Sequence, residues 1–370
     1  MKSSIFLALA AGAMGAVIAD LPDIHKGMTR EQEGHKVVAS GIAPEVQQLV
    51  PLFNDYAPGS KRVKIRYGKF ALPSVNATTA MSKLTGEQGT MTTMLGTMKK
   101  PCAGDCSLIT MQAGLEYANG QVAEPSNGGW LHHIVMLVGG GSRKDSVCSL
   151  PVERFFSSGN ERTPTAFGDV VNKKVKSSFP LTASDRFMAQ LELMNLLPKP
   201  QDVWLTVDYE FVDGPRQPGW KVAKAMWLDV TNCGASSVRP PAGKQQFKLA
   251  MRPWTSQFDG ELLGVGGHLH DGGVNVNVYQ NNKVICDSRA TYTEPAHGHK
   301  VKRDGPHDMN DGMAHIKQMS TCSELGPLKK GDKIFIDANY DFAKFAGMKS
   351  KAGAYTEVMG IAILYAAVNL

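Results

Sequence analysis

The residues best equipped for chemistry in this chain are its histidines, ten in 370 residues. His268 and His270 stand in Gly264-Val265-Gly266-Gly267-His268-Leu269-His270-Asp271-Gly272-Gly273. On a strand, positions i and i+2 project to the same side, so two imidazoles at this spacing can hold one metal ion. The flanking glycines remove side chains that would crowd such a site and allow a sharp exit turn. The competing reading is a pair of half-exposed histidines beside a turn. His132 and His133 are embedded in an apolar strand, Leu131-His132-His133-Ile134-Val135-Met136-Leu137-Val138. Successive strand side chains point to opposite faces, so both rings reach one ion only where the strand begins, twists or bulges. Gly128-Gly129-Trp130 offers such an entry. Taken alone, the pair reads more simply as one core histidine and one exposed. His297 and His299 form a third pair, with His307 and His315 nearby, but Glu294, Lys300, Lys302 and Arg303 describe a charged, solvated loop. No Gly-rich phosphate loop, Gly-x-Ser-x-Gly elbow or His-Glu-x-x-His pair is present.

The elements that must position these histidines are strands. Helical periodicity is scarce, and short runs rich in Val, Ile, Tyr and Trp recur between Gly, Pro, Asn and Asp clusters. From 203 to 211, Val203, Leu205, Val207, Tyr209 and Phe211 line one face while Trp204, Thr206, Asp208 and Glu210 line the other. Further strands are expected near 62–67, 107–117, 131–138, 188–197, 222–231, 246–251, 261–270, 274–278, 314–322, 334–340 and 355–367. About a dozen or more strands exceed one sandwich of seven to nine, so the expected fold is all-β, two consecutive antiparallel, jelly-roll-like β-sandwiches. The joint is expected at Asp213-Gly214-Pro215-Arg216-Gln217-Pro218-Gly219, which disfavours helix and central strand alike. The domains then run from 61 to 215 and from 216 to 370, preceded by an irregular arm over 20–60.

Lys2, the apolar run from Ile5 to Ile18, and Val17 and Ala19 read as a signal peptide over 1–19 with cleavage before Asp20, so the mature chain is expected outside the cell. All six cysteines lie beyond it. Cys102-x3-Cys106 has no second short-spaced pair to complete a zinc site, so disulfides are the better reading. Sequence proximity suggests Cys102 or Cys106 to Cys148, and Cys286 to Cys322. Asn76-Ala77-Thr78 is a glycosylation sequon. Forty basic against 34 acidic side chains give a formal charge of +6 with no run of five or more Lys and Arg, which argues against a nucleic-acid partner. The apolar stretch from Val358 to Val368 is too short to span a membrane and fits a buried final strand.

His-x-His in a β-rich chain invites a cupin reading, but a cupin wants glycine six before the first histidine and a carboxylate four or five after the second, where Leu262, Val274 and Asn275 stand. Three segments together make a better match: Leu131-His132-His133-Ile134, Gly267-His268-Leu269-His270 and Glu357-Val358-Met359-Gly360-Ile361. In this order they resemble the ascorbate-dependent type II copper monooxygenases, the family of peptidylglycine α-hydroxylating monooxygenase and dopamine β-hydroxylase. Gly267-His268-Leu269-His270-Asp271-Gly272-Gly273 is closer still to the stress-up-regulated nodulin-like family. The resemblance covers most of residues 60–370 by motif order. It implies two consecutive β-sandwiches facing a cleft, a first-domain copper held by histidines such as His132 and His133, and a second-domain copper held by His268, His270 and Met359. It also implies ascorbate or a similar small reductant. Two imidazoles and a thioether suit copper that cycles between Cu(I) and Cu(II), and leave a position open.

The departures are specific. Where the family's first domain supplies a third histidine, Asp208 stands, a harder ligand that argues against a redox-cycling first copper. Gly266 and Ile361 occupy the places of the arginine and asparagine that receive a peptide carboxylate, so a glycine-extended peptide is a poor substrate. Two readings stay open. One is a secreted copper monooxygenase hydroxylating a small organic substrate with dioxygen. The other is a non-catalytic secreted metal-binding or interaction protein that retains the scaffold.

Overall fold

The computed structural model describes residues 44–79, 82, 88–292, 314–350 and 353–370. The expected signal peptide and cleavage site, and His297, His299 and His307, lie outside the described residues. The described strands form three sheets. The longest sheet runs Glu45–Leu49, Lys61–Leu72, Gln201–Asp213, Cys106–Glu116, Ser177–Leu181, Lys221–Asp229, Val358–Val368, Gly260–Leu269 and Thr321–Ser323. A four-stranded sheet contains Thr90–Met98, Arg186–Asn195, Gly129–Gly139 and Glu153–Gly159. A third sheet is built on Gln246–Ala250, Lys333–Asp341, Gly273–Gln280, Lys283–Tyr292 and Ile316–Met319.

The uninterrupted apolar run at the carboxyl end behaves as a strand buried on both faces. Every residue of Val358–Val368 is buried. Met359, Ile361, Ile363, Tyr365 and Ala367 enter a core shared with the first half of the chain, beside Phe155, Phe167 and Trp227. Val358, Ala362, Leu364, Ala366 and Val368 enter the other core, beside Val276, Ile336 and Tyr340. Each fully buried Ile or Leu here is worth about 1.5–3 kcal/mol relative to exposure. The strand therefore ties the two halves together. In backbone pairing they meet more thinly, through a parallel contact of Lys221 with Ser177 and Val222 with Ser178.

Several expectations change in detail. Within the stretch expected as an irregular arm, Glu45–Leu49 is a strand paired antiparallel to Lys61–Leu72. The polar face of Gln201–Asp213 is buried as well as the apolar one, because the arm covers it. Glu210 accepts the Leu52 and Phe53 N–H groups and the Ser60 hydroxyl, Asp208 pairs with Arg62 at 2.9 Å, and Lys64 pairs with Glu116 at 2.7 Å. The cysteines pair as Cys102–Cys106, Cys148–Cys233 and Cys286–Cys322. The third bond is as expected. Cys148 instead reaches across the expected joint to Cys233, a partner that sequence proximity could not select. Among the described residues no helix is long and apolar enough to cross a membrane.

Candidate metal centre

A bulge turns the adjacent pair His132 and His133 toward one place. Between Gly129–Gly139 and Arg186–Asn195 the register runs Leu131 to Leu193 and then His133 to Glu192, so His132 is the extra residue. An inserted residue bends and twists its strand, which frees it from strict alternation. The two rings lie 3.9 Å apart, tilted by 34°.

His268 and His270 arrive from the second half. His268 pairs with Ile361 on the final strand, and the ladder ends one step later at Leu269 and Gly360. Beyond that point the strands part, and the Tyr340 hydroxyl fills the gap. It accepts the His270 N–H at 3.1 Å and donates to the Met359 carbonyl at 2.6 Å. Gly272, at φ +91°, then makes the exit turn, and a Cβ there would meet Phe342 at 2.3 Å. Gly267 faces the other way: a Cβ on it would fall 2.9 Å from both Val276 and the Ser288 hydroxyl. That glycine serves close sheet packing, whereas Gly272 serves the turn.

The four imidazoles form one cluster. Ring centroids are 5.3 Å apart for His133 and His268, 5.6 Å for His268 and His270, and 5.8 Å from His270 to each of His132 and His133. One ligand atom from each of His132, His133 and His270 lies within 4.8 Å of the others. The second ring nitrogens are engaged from outside. His133 Nδ1 lies 3.2 Å from Glu192 Oε2, His268 Nδ1 lies 3.3 Å from Glu161 Oε1, and His270 Nδ1 lies 2.8 Å from the Glu357 carbonyl oxygen. A carbonyl only accepts, so the His270 proton sits on Nδ1 and its Nε2 carries a lone pair. The Nε2 atoms of His133, His268 and His270 are buried without a hydrogen-bond partner. Buried polar atoms are rarely left so, and an imidazole oriented through Nδ1 with Nε2 bare is the usual form of a metal-binding histidine.

Burial, with repulsion from neighbouring imidazoles, pushes the His133 pKa down to about 3. The same two causes hold His270 well below the ordinary range. Both rings are therefore neutral, the form that binds metal. Burial would raise Glu192 and Glu161, but hydrogen bonds from His132 and His133 to the first, and from His268 to the second, outweigh it and keep both pKa values below the usual carboxylate range. A cavity of about 30 Å³ lies among the rings, walled also by Trp130, Leu269, Asp271, Ile316 and Met348. At its edge His315 Nδ1 lies 2.6 Å from Asp271 Oδ2.

A nitrogen-rich pocket lined by imidazoles suits copper, zinc, iron or nickel, and comparison with known proteins narrows the choice. No protein-family model matches the sequence. The probable copper-dependent oxygenase M1 of Phoma sp. is 32% identical over 304 residues, 82% of this chain and 71% of that protein. The probable copper-dependent oxygenase clz3 of Cochliobolus lunatus is 33% identical over 257 residues, 69% of this chain and 77% of that protein. The chain belongs to this copper-dependent oxygenase family. Among solved structures, a peptide-N(4)-(N-acetyl-β-D-glucosaminyl)asparagine amidase is 12% identical at a TM-score of 0.36, covering 84% of this chain and 97% of that one. PNGF-II is 8% identical at 0.39, covering 84% and 65%. Overlaps this loose carry no argument.

For a copper-dependent oxygenase, the donors fit. Of the residues singled out in the sequence, His132, His133, His268 and His270 come together, and they do so in one cluster where two separate sets were expected. Met359 does not line the cavity. Its side chain lies in the core with Ile361, Ile363 and Trp227, and the thioether on the cavity wall is that of Met348. Asp208 is held by Arg62 in the buried ion pairs beneath the arm. Sequence reasoning missed Glu161 and Glu192. A lone carboxylate in the apolar run Leu191-Glu192-Leu193 was a usable signal; Gly159-Asn160-Glu161 carried none.

Proposed function

We propose that this chain is a secreted copper-dependent monooxygenase that binds copper in the histidine cluster and hydroxylates a small organic substrate with dioxygen and an external reductant of the ascorbate type. The observation that carries the reading is the set of three buried, unpartnered Nε2 atoms, each on a ring whose Nδ1 is engaged by oxygen. Copper held there would supply one-electron redox chemistry for dioxygen activation. His132, His133, His268 and His270 would bind it. Glu161, Glu192 and the Glu357 carbonyl orient the rings and hold protons on the Nδ1 side. Trp130, Leu269, Ile316 and Met348 give the cavity an apolar wall beside the rings.

The likeness of the His132-His133 and His268-Leu269-His270 segments to the ascorbate-dependent type II copper monooxygenases supports hydroxylation and the reductant class. It also supports reading the sheets as two jelly-roll-like sandwiches, 61–215 and 216–370. Secretion is supported by the leader-like first 19 residues, three disulfides and an exposed Asn76 sequon. The test is oxygen consumption by copper-loaded protein with ascorbate across a panel of small organic substrates, read beside product mass and repeated with His270→Ala. Substrate-dependent oxygen uptake with one oxygen atom in the product, lost in the variant, is expected. Copper binding with no substrate-coupled uptake would leave a metal-binding protein without catalysis.

A further inference from the structure

We infer that the two halves of the chain share a single copper ion, bound by nitrogen from His132, His133, His268 and His270, in place of two coppers facing each other across a cleft. The inference rests on the copper reading above and concerns the number of ions and their donors.

Four observations carry it. The bulge at His132 sets two adjacent imidazoles 3.9 Å apart, and the rings of His268 and His270 stand within 5.8 Å of one or both of them. Two coppers separated by a cleft would need those pairs apart. The cavity among the rings is small, about 30 Å³, which suits one ion with a small exogenous ligand. Among the described residues the carboxylates at the cavity are already engaged: Glu161 and Glu192 face the Nδ1 side of His268 and His133, and Asp271 accepts the Ile316 N–H and contacts His315 Nδ1. Two carboxylates behind the rings balance one divalent cation; a second ion would bury uncompensated charge. Finally, among the described residues His132, His133 and His270 are the only group of three His, Cys, Asp or Glu whose ligand atoms all lie within 4.8 Å; His268 falls outside that group and joins it as the neighbouring ring, 5.3 Å from His133 and 5.6 Å from His270 between centroids.

A shared ion is also a clamp. His132 and His133 come from the four-stranded sheet of the first half, and His268 and His270 from the strand Gly260–Leu269 and its end in the second. Binding to the folded chain alone stabilises it by mass action, so copper should raise the melting temperature, and ligands from both halves should be needed for the full rise.

The test uses the full chain without a histidine tag, loaded with cupric sulfate and desalted. Metal analysis should give one copper per chain, and electron paramagnetic resonance one Cu(II) signal with nitrogen splitting. His132→Ala and His268→Ala, on opposite halves, should each alter that same signal and cut the copper-induced rise in melting temperature. His132→Asn and His268→Asn serve where alanine prevents folding, as judged by circular dichroism. Met359→Leu should leave stoichiometry and signal unchanged. Two equivalents with separable signals, or His132→Ala removing one signal while another stays intact, would overturn the shared centre and leave the copper reading standing. A folded chain that takes up no copper would overturn both.

Discussion

His268 Nδ1 lies 3.3 Å from Glu161 Oε1, joining residues 107 positions apart and on opposite halves of the chain. A carboxylate behind a metal-binding imidazole fixes its orientation and raises its basicity, and losing one typically costs 10–100-fold in affinity. Glu161→Ala should weaken copper binding by about that factor, and Glu161→Gln, which keeps an acceptor oxygen, by less. Gly159→Ala should act in the same direction, because its Cβ would fall 2.6 Å from Glu161 Oε2 and 3.1 Å from the His132 carbonyl oxygen. Competition titration against a chelator measures all three. Unchanged affinity in Glu161→Ala would show that His268 is oriented by its strand alone.

Acid should destabilise the metal-free protein from near neutrality downward. An unfolded imidazole titrates at about 6.5, whereas His133 is lowered to about 3 and His270 is also well below the ordinary range. Between those values the unfolded chain takes up protons that the folded chain refuses. The stability is therefore complete above the unfolded value and is lost as pH falls toward the folded one. At pH 5 the neutral His133 ring costs about 2 kcal/mol, and His270 acts in the same direction. Glu192, lowered from 4.5, adds a further loss only below that value. Melting curves from pH 7 to pH 5 should show the fall, with a shallower slope in His270→Asn. A flat profile would mean that these rings are not held neutral.

Cys148–Cys233 closes a loop 85 residues long across the expected joint, whereas Cys102–Cys106 closes one of four. Loop-closure entropy then assigns about 4–5 kcal/mol to the first and about 2 kcal/mol to the second. The double variant Cys148→Ser, Cys233→Ser should lower unfolding stability more than Cys102→Ser, Cys106→Ser, as measured in urea. Equal losses would indicate that the final strand already restrains the halves in the unfolded ensemble.

Strand positions were legible wherever alternation or a long apolar run was strong, as in Gln201–Asp213 and Val358–Val368. Short or polar strands such as Thr90–Met98 and Glu153–Gly159 offered no such pattern. The histidines were legible because imidazole is scarce and its spacing on a strand has geometric meaning. Their assembly into one cluster was not, since Gly128-Gly129-Trp130 allowed a bulge without requiring it, and the meeting with His268 and His270 depends on contacts between distant parts of the chain. Glu161 escaped notice for the same reason: its role is set by a contact with His268 across the molecule. Met359 lies in the core and off the cavity lining, and the sequence alone did not decide this, because an apolar strand buried on both faces places a methionine equally well against metal or hydrocarbon.

Tyr340 provides the most local test of how His270 is held. Its hydroxyl accepts from the His270 N–H and donates to the Met359 carbonyl, standing where a direct ladder bond would have closed the two strands. Phenylalanine at this position keeps the ring packed in the core but leaves a buried donor and a buried acceptor unpaired, a loss of about 1–3 kcal/mol. The strands could recover a bond only by closing, which would pull His270 out of line with its Glu357 contact and away from the other rings. Tyr340→Phe should therefore lower both unfolding stability and copper affinity. Tyr292→Phe is the matched control: Tyr292 braces the next turn through the Gly272 N–H and Gly273 carbonyl, one step farther from the ring. Chemical denaturation and copper titration of the two variants should separate them, with the larger affinity loss in Tyr340→Phe. Equal affinity losses would place the restraint on His270 in the glycine turn.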